Sequence, residues 1–129
     1  MLIVLQAEAL LLSLDIACSG HVFHGADAWR KLLDFVEGYF RASGPECPPL
    51  FLQRPAHSLT IIGIELLKCS KRRLLVFDPQ WRPPSIMSDA ARARKCVGLH
   101  RSLLLWRYRK STRHLRRFNS FEVLSIDCL

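Results

Sequence analysis

"PAHSLTIIGIELLKCSKRRLLVFDPQW", Pro55 to Trp81, holds two apolar runs joined by a short polar tip. Leu59 to Leu67 reads as a strand with Ile61 and Gly63 on one face and Ile62, Ile64 and Leu66 on the other. A strand apolar on both faces belongs in the interior of a sheet. Lys68 to Arg72 supplies the tip, and Arg73 to Phe77 returns as a second strand, so the stretch predicts an antiparallel hairpin. His57 stands just before the first strand and Asp78 just after the second.

A histidine and an aspartate held on paired strands can act together on a thiol. A cysteine nucleophile needs its proton removed, histidine can take it, and a third group fixes the imidazole's tautomer. His57 and Asp78 lie opposite each other if the hairpin turns between Leu67 and Lys68. The polar tip puts the turn one or two residues later, a difference that a β-bulge absorbs. Side-chain parity agrees: His57 shares a face with Leu59 and Ile61, Asp78 with Val76 and Leu74. The spacing permits the pair without requiring it. A histidine ahead of a strand is often a plain loop residue, and Asp-Pro commonly opens a turn.

Outward from the hairpin, Leu50 to Gln53 reads as a short strand. Asp27 begins the clearest helix, as its N-cap, with Trp29, Leu32, Leu33, Val36, Tyr39 and Phe40 on one stripe. Phe35 falls off that stripe, and Gly44-Pro45 ends the helix. Leu2 to Leu14 predicts a further helix and Ile16 to Phe23 a strand. The N-terminal run has neither the basic start nor the small-residue cleavage site of a secretory leader, and it is too short and too charged for a membrane span. It reads as a buried helix starting in mid-core, so residues are expected to precede Met1. Ser85 to Lys95 and Leu99 to Arg117 read as helical pieces with Leu103 to Trp106 in the core, and Phe121 to Ile126 as the last strand.

The chain has 129 residues, half of them apolar, which suits one domain and argues against bulk disorder. The fold class expected is α+β: an antiparallel sheet with flanking helices, in a single domain over 1–129 that is incomplete. Five cysteines, at 18, 47, 69, 96 and 128, show neither C-x-x-C spacing nor an even count. Reduced thiols in a cytoplasmic or nuclear protein fit best. No metal site or other cofactor is expected: His21, His24, His100 and His114 lack ligand spacing. Ten of the nineteen basic residues lie between Arg92 and Arg117, with no acid among them. A solvated helix face is the ordinary reading; a nucleic-acid surface, with Trp106, Tyr108 and Phe118 for stacking, is the alternative. No membrane partner is expected.

"PPLFLQRPAHSLTIIGIE" followed by "RLLVFDP" resembles the papain-like cysteine peptidases that act on ubiquitin and ubiquitin-like modifiers, in their C-terminal part. The nearer branch is that of the zinc-finger-containing ubiquitin peptidases, whose pattern is a strand ending in Leu-Gln, then Gly-His-Ser, an Ile/Val-rich strand, and Asp-Pro. The sister branch, the ubiquitin-fold-modifier-specific proteases, carries Asp-Pro-His, whereas this chain has Asp78-Pro79-Gln80. The resemblance implies His57 as general base, Asp78 as its orienter, and ubiquitin or a similar modifier as partner. Gln53 and Trp81 would be neighbours of the cleft. Ala56 stands where Gly is usual, and Pro55 where Gln is common. In the family the catalytic cysteine opens a helix well upstream of the histidine. Cys18 falls instead in a predicted strand, "IACSGHVFHG", with nothing to lower its pKa. The nucleophile is therefore expected to be missing from this chain, and the chain alone to be inactive. A catalytically inactive modifier-binding module remains the alternative to a peptidase.

Overall fold

The computed structural model describes residues 2–82 and 105–127. The elements are α1 (Leu2–Ser13), β1 (Cys18–His24), α2 (Ala28–Ser43), β2 (Leu50–Arg54), β3 (His57–Leu66), β4 (Arg72–Phe77), β5 (Arg109–Ser111), α3 (Thr112–Leu115) and β6 (Ser120–Ile126). Single 3-10 turns fill Lys68–Ser70 and Trp106–Tyr108. The strands form one six-stranded antiparallel sheet in the order β1-β6-β2-β3-β4-β5, an α+β fold.

The core lies between the sheet and α2. Leu32, Leu33 and Val36 meet Leu50, Leu52, Leu59, Ile61, Leu74, Val76, Phe121 and Val123, all essentially without solvent exposure. Each such side chain, buried from water, contributes about 1.5–3 kcal/mol against the entropy of ordering the chain. Phe35 belongs to this layer, packing on the His21 ring at 4.3 Å and on Phe23 and Tyr39. The helix periodicity alone set it aside because β1, which it covers, is remote in sequence. Asp27 precedes α2 as expected, but its carboxylate makes no cap; it pairs with Lys31 at 3.5 Å. Gly44, at φ 74 and ψ −171, ends α2 in a backbone region open essentially to glycine alone.

α1 covers the other face of β1 and β6, where Val4, Ala7 and Leu11 pack around Cys18, Leu124 and Phe51. The approach is close: a Cβ added at Gly20 would stand 3.0 Å from the Glu8 carboxylate. The expected buried helix is only half buried, because Leu5, Leu10, Leu12 and Leu14 are exposed on its outer side. β1 begins at Cys18, two residues after the expected start.

Two further expectations change. β3 bears a β-bulge between Ile61 and Gly63, so Ile61 and Ile64 both reach the core and Ile62 faces solvent. Arg109–Ser111, read from the sequence as helix, is an edge strand paired to Leu75–Arg73 of β4. Trp106 is exposed rather than in the core, while Tyr108 is buried in its place. The helix expected over Ser85 to Lys95, and the expected core residues Leu103 and Leu104, lie outside the described residues.

Candidate functional site

β2 and β3 are joined by a two-residue turn, Pro55-Ala56, which brings Arg54 opposite His57. Ala56 takes φ 63, the left-handed region that a Cβ disfavours. The resemblance implied Gly at this position; Ala56 makes the same tight turn with strain that a glycine would not have. The β2 side of the turn is fastened next to His57: Ser58 Oγ donates to Gln53 Oε1, and Gln53 Nε2 donates to the Arg54 carbonyl at 2.8 Å.

Asp78 is held by a turn of its own. The Trp81 N–H donates to the Asp78 carbonyl at 3.1 Å, closing Asp78-Pro79-Gln80-Trp81 with Asp first and Pro second, the order that a type I turn favours. The Gln80 N–H also donates to Asp78 Oδ1 at 2.9 Å, which fixes the carboxylate plane. Trp81 anchors the turn by stacking edge-on against Tyr108, ring centres 4.9 Å apart.

The free oxygen, Oδ2, lies 3.0 Å from His57 Nε2. The bulge makes this meeting possible. From the hairpin tip to Gly63 the register pairs Glu65 with Arg73 and Gly63 with Leu75. Continued unbroken, it would put Thr60 opposite Asp78, and His57, three residues away, on the other face. The extra residue at Ile62 shifts the pairing to Ile61 with Val76, which leaves Leu59 opposite Asp78 and His57 on the same face.

A carboxylate only accepts hydrogen bonds, so Nε2 carries the proton in this pair and Nδ1 is left as the basic nitrogen. Both side chains are largely shielded, His57 at 12% and Asp78 at 26% exposure. Burial alone would raise the Asp78 carboxyl. The Gln80 N–H, His57 and the charge on Lys110 outweigh it and hold the carboxyl below the usual carboxylate range. Arg54, with its guanidinium 4.4 Å over the Phe118 ring, is itself pulled down by burial and pushed back up by the Asp78 charge. Gln53, Ala56, His57, Ser58, Pro79 and Gln80 line an open cleft of about 380 Å3. Gln53 thus borders the cleft as expected, whereas Trp81 is not among its lining residues.

A base of this kind serves a nucleophile within hydrogen-bond reach, and the described cysteines are not. Cys18 sits five residues along β1 from the row that holds Phe23, Phe121, Arg54 and His57, and three strands away. Strand geometry puts it roughly 20 Å from His57. Burial, then Glu8 and Asp127, push its thiol up, the opposite of what a nucleophile needs. Cys47 shares a surface hollow with Ile62, Gly63 and Ile64. Those residues are about 16 Å or more along β3 from His57. Cys69 is in the hairpin tip, about 30 Å along the strand from His57. Cys96 and Cys128 lie outside the described residues.

The sequence did not flag the Ser58–Gln53 link, and it offered Tyr108 only as a stacking residue of a nucleic-acid surface, whereas the ring is buried against Phe77 and Trp81. The signal for the first was present: Gln53 and Ser58 are equidistant from the Pro55-Ala56 turn, so they are cross-strand partners. Of the basic stretch, Arg92, Arg94, Lys95 and Arg101 lie outside the described residues. Arg107 stacks over Trp81 and Trp106, and Arg109 pairs with Glu65 at 3.1 Å. Among the described residues no cluster of His, Cys, Asp and Glu could hold a metal, and no helix is long and apolar enough to cross a membrane.

The chain is 31% identical over 86 residues to zinc finger-containing ubiquitin peptidase 1 of Macaca fascicularis, an alignment that covers 57% of this chain and 15% of that protein. The chain therefore spans a small part of the length of the curated relative that it matches. The sequence profile of Peptidase family C78 matches residues 5–124, from α1 through the His57–Asp78 hairpin into β6, and the chain belongs to that family.

Proposed function

We propose that this chain carries the general base and its orienter for thiol-dependent hydrolysis of the bond that follows the C-terminus of ubiquitin or a ubiquitin-like modifier. The observation that carries the reading is the 3.0 Å contact of His57 Nε2 with Asp78 Oδ2 at the edge of an open cleft, in a Peptidase family C78 chain. His57 Nδ1 takes the proton of a cysteine thiol; the thiolate attacks the modifier's terminal carbonyl; the imidazolium then protonates the leaving amine. Water, deprotonated by the same nitrogen, releases the modifier from the thioester. Asp78 stays ionised throughout and stabilises the imidazolium. The nucleophile is none of Cys18, Cys47 and Cys69. The free thiols of those residues suit a reducing compartment, the cytoplasm or nucleus.

The distance of all three described cysteines from His57 favours a second reading, a modifier-binding module without hydrolysis. One experiment separates the two. The protein is expressed from its own locus with an affinity tag and exposed to ubiquitin, and to a ubiquitin-like modifier, bearing a thiol-reactive group at the C-terminus. The peptidase reading expects a covalent adduct whose rate falls by a factor of about 10²–10⁴ in His57→Ala and in Asp78→Ala. Retention of the modifier without any adduct selects the binding module. An adduct on Cys18, or one that forms equally fast in both variants, sinks the assignment of His57 and Asp78.

A further inference from the structure

Away from the His57 cleft, α2, the β3–β4 tip and α3 enclose a hollow of about 640 Å3. The strand rise along β3 puts the tip roughly 30 Å from His57. Arg30, Lys71, Arg72, Arg73, Arg113 and Arg116 line it, together with Trp29, Ser70 and Ser111; among the described residues no Asp or Glu belongs to its lining. Sequence-remote segments supply these charges: the first turn of α2, the hairpin tip and α3.

Some of the cations have structural work. Arg72 bridges Asp34 at 2.6 Å and Glu37 at 2.9 Å, tying β4 to α2. Arg73 pairs with Glu65 at 2.9 Å, though its Nε is shielded from solvent and meets no acceptor. Arg30, Lys71, Arg113 and Arg116 have no carboxylate partner among the described residues. All four are exposed around one concavity, where their mutual repulsion opposes folding and a bound anion would relieve it. Two of the guanidiniums lie against Trp29, Arg116 at 4.6 Å and Arg30 at 5.3 Å from the ring centre. An exposed guanidinium can swing from the ring to a phosphate and leave the ring face to a base.

We propose that this cleft binds single-stranded nucleic acid, with the four unpaired cations on successive phosphates and Trp29 stacking on a base. The aromatic wall favours this ligand over an acidic peptide, because the negative face of an indole repels carboxylates and accepts any base. The size favours a single strand over a duplex, because the volume falls within the about 300–1,000 Å3 of ordinary small-ligand sites. The proposal stands apart from the peptidase reading, since none of its residues touches His57 or Asp78.

Fluorescent oligo(dT) and oligo(U), titrated with the full chain over a range of salt, test it, with poly-glutamate of equal charge as competitor. Four phosphate contacts predict a log–log salt slope of about −3, a loss of roughly 50-fold in affinity between about 50 and 200 mM salt. Lys71→Glu with Arg113→Glu, both at exposed positions, should weaken binding at least about tenfold and halve the slope. Trp29→Leu should cost about tenfold at unchanged slope, with circular dichroism confirming that α2 is intact. A preference for either oligonucleotide supports the site and reports whether the 2′-hydroxyl is read. Binding unaffected by the charge-reversed pair, or no oligonucleotide binding at low salt, overturns the proposal. So does poly-glutamate competing as well as oligo(dT) with Trp29→Leu silent, which would make the cleft a site for acidic peptides.

Discussion

At the scale of single residues, two backbone and side-chain choices set the site. Ala56 sits at φ 63, and a left-handed non-glycine residue costs about 1–2 kcal/mol. Ala56→Gly should therefore raise stability by about 1 kcal/mol, after allowing for the extra freedom of glycine in the unfolded chain. Urea denaturation measures this; a loss of stability would mean that the turn is not strained. Asp78 makes a pH prediction. Its folded carboxyl lies below the usual carboxylate range, so ionised Asp78 stabilises the fold. That contribution is complete above the unfolded value and fades as pH falls through the lowered folded one. In Asp78→Asn the contribution is gone, so the gap in unfolding midpoint between wild type and variant should close from about pH 5 to about pH 2. A constant gap across that range would show that the carboxylate's charge is immaterial to stability.

At the scale of elements, the long hairpin is a device for parity. Its tip fixes one register, the bulge at Ile62 changes it, and only the second register puts His57 and Asp78 on one face. One residue inserted between Phe77 and Asp78 should turn Asp78 to the opposite face and break the pair. The inserted residue follows the last residue of β4, so the sheet should survive. The imidazole resonances of His57 should then move in the NMR spectrum at fixed pH while the far-UV circular dichroism is unchanged; unmoved resonances would refute the dependence on parity. α2 carries a different burden. Leu33 is 1% exposed beneath the sheet, and Leu33→Ala should cost about 2–5 kcal/mol through lost burial and the cavity left behind.

At the scale of the whole molecule, the two faces of the sheet are covered unequally. α2 seals the β2–β3–β4–β6 face, while α1 covers the β1 and β6 side with an outer surface of exposed leucines. Leu10 is 61% exposed and Leu14 61% exposed, so replacing both with lysine should leave the unfolding midpoint within about 0.5 kcal/mol of wild type. It should also reduce concentration-dependent association in sedimentation velocity, since exposed apolar patches drive association. A large destabilisation would place those side chains in the core instead.

The sequence alone determined the elements that rest on local pattern. The α2 stripe, the β3–β4 hairpin, the Asp78-Pro79 turn and the last strand follow from periodicity and turn chemistry, which act over a few residues. It also named His57 and Asp78, by spacing and by resemblance. Tertiary structure decided the rest. Whether Phe35 is core depends on β1, and whether Arg109–Ser111 is helix or strand depends on the free edge of β4 that it pairs with. Trp106 points outward because Tyr108 takes the buried place against Phe77 and Trp81. Whether His57 and Asp78 meet depends on a bulge that the spacing allowed and could not require. The cations of the Trp29 cleft come from segments dozens of residues apart, and no local pattern marks them as neighbours. The physical reason is the same in each case: strand pairing and burial are contacts between residues remote in sequence, and their energies override local preference.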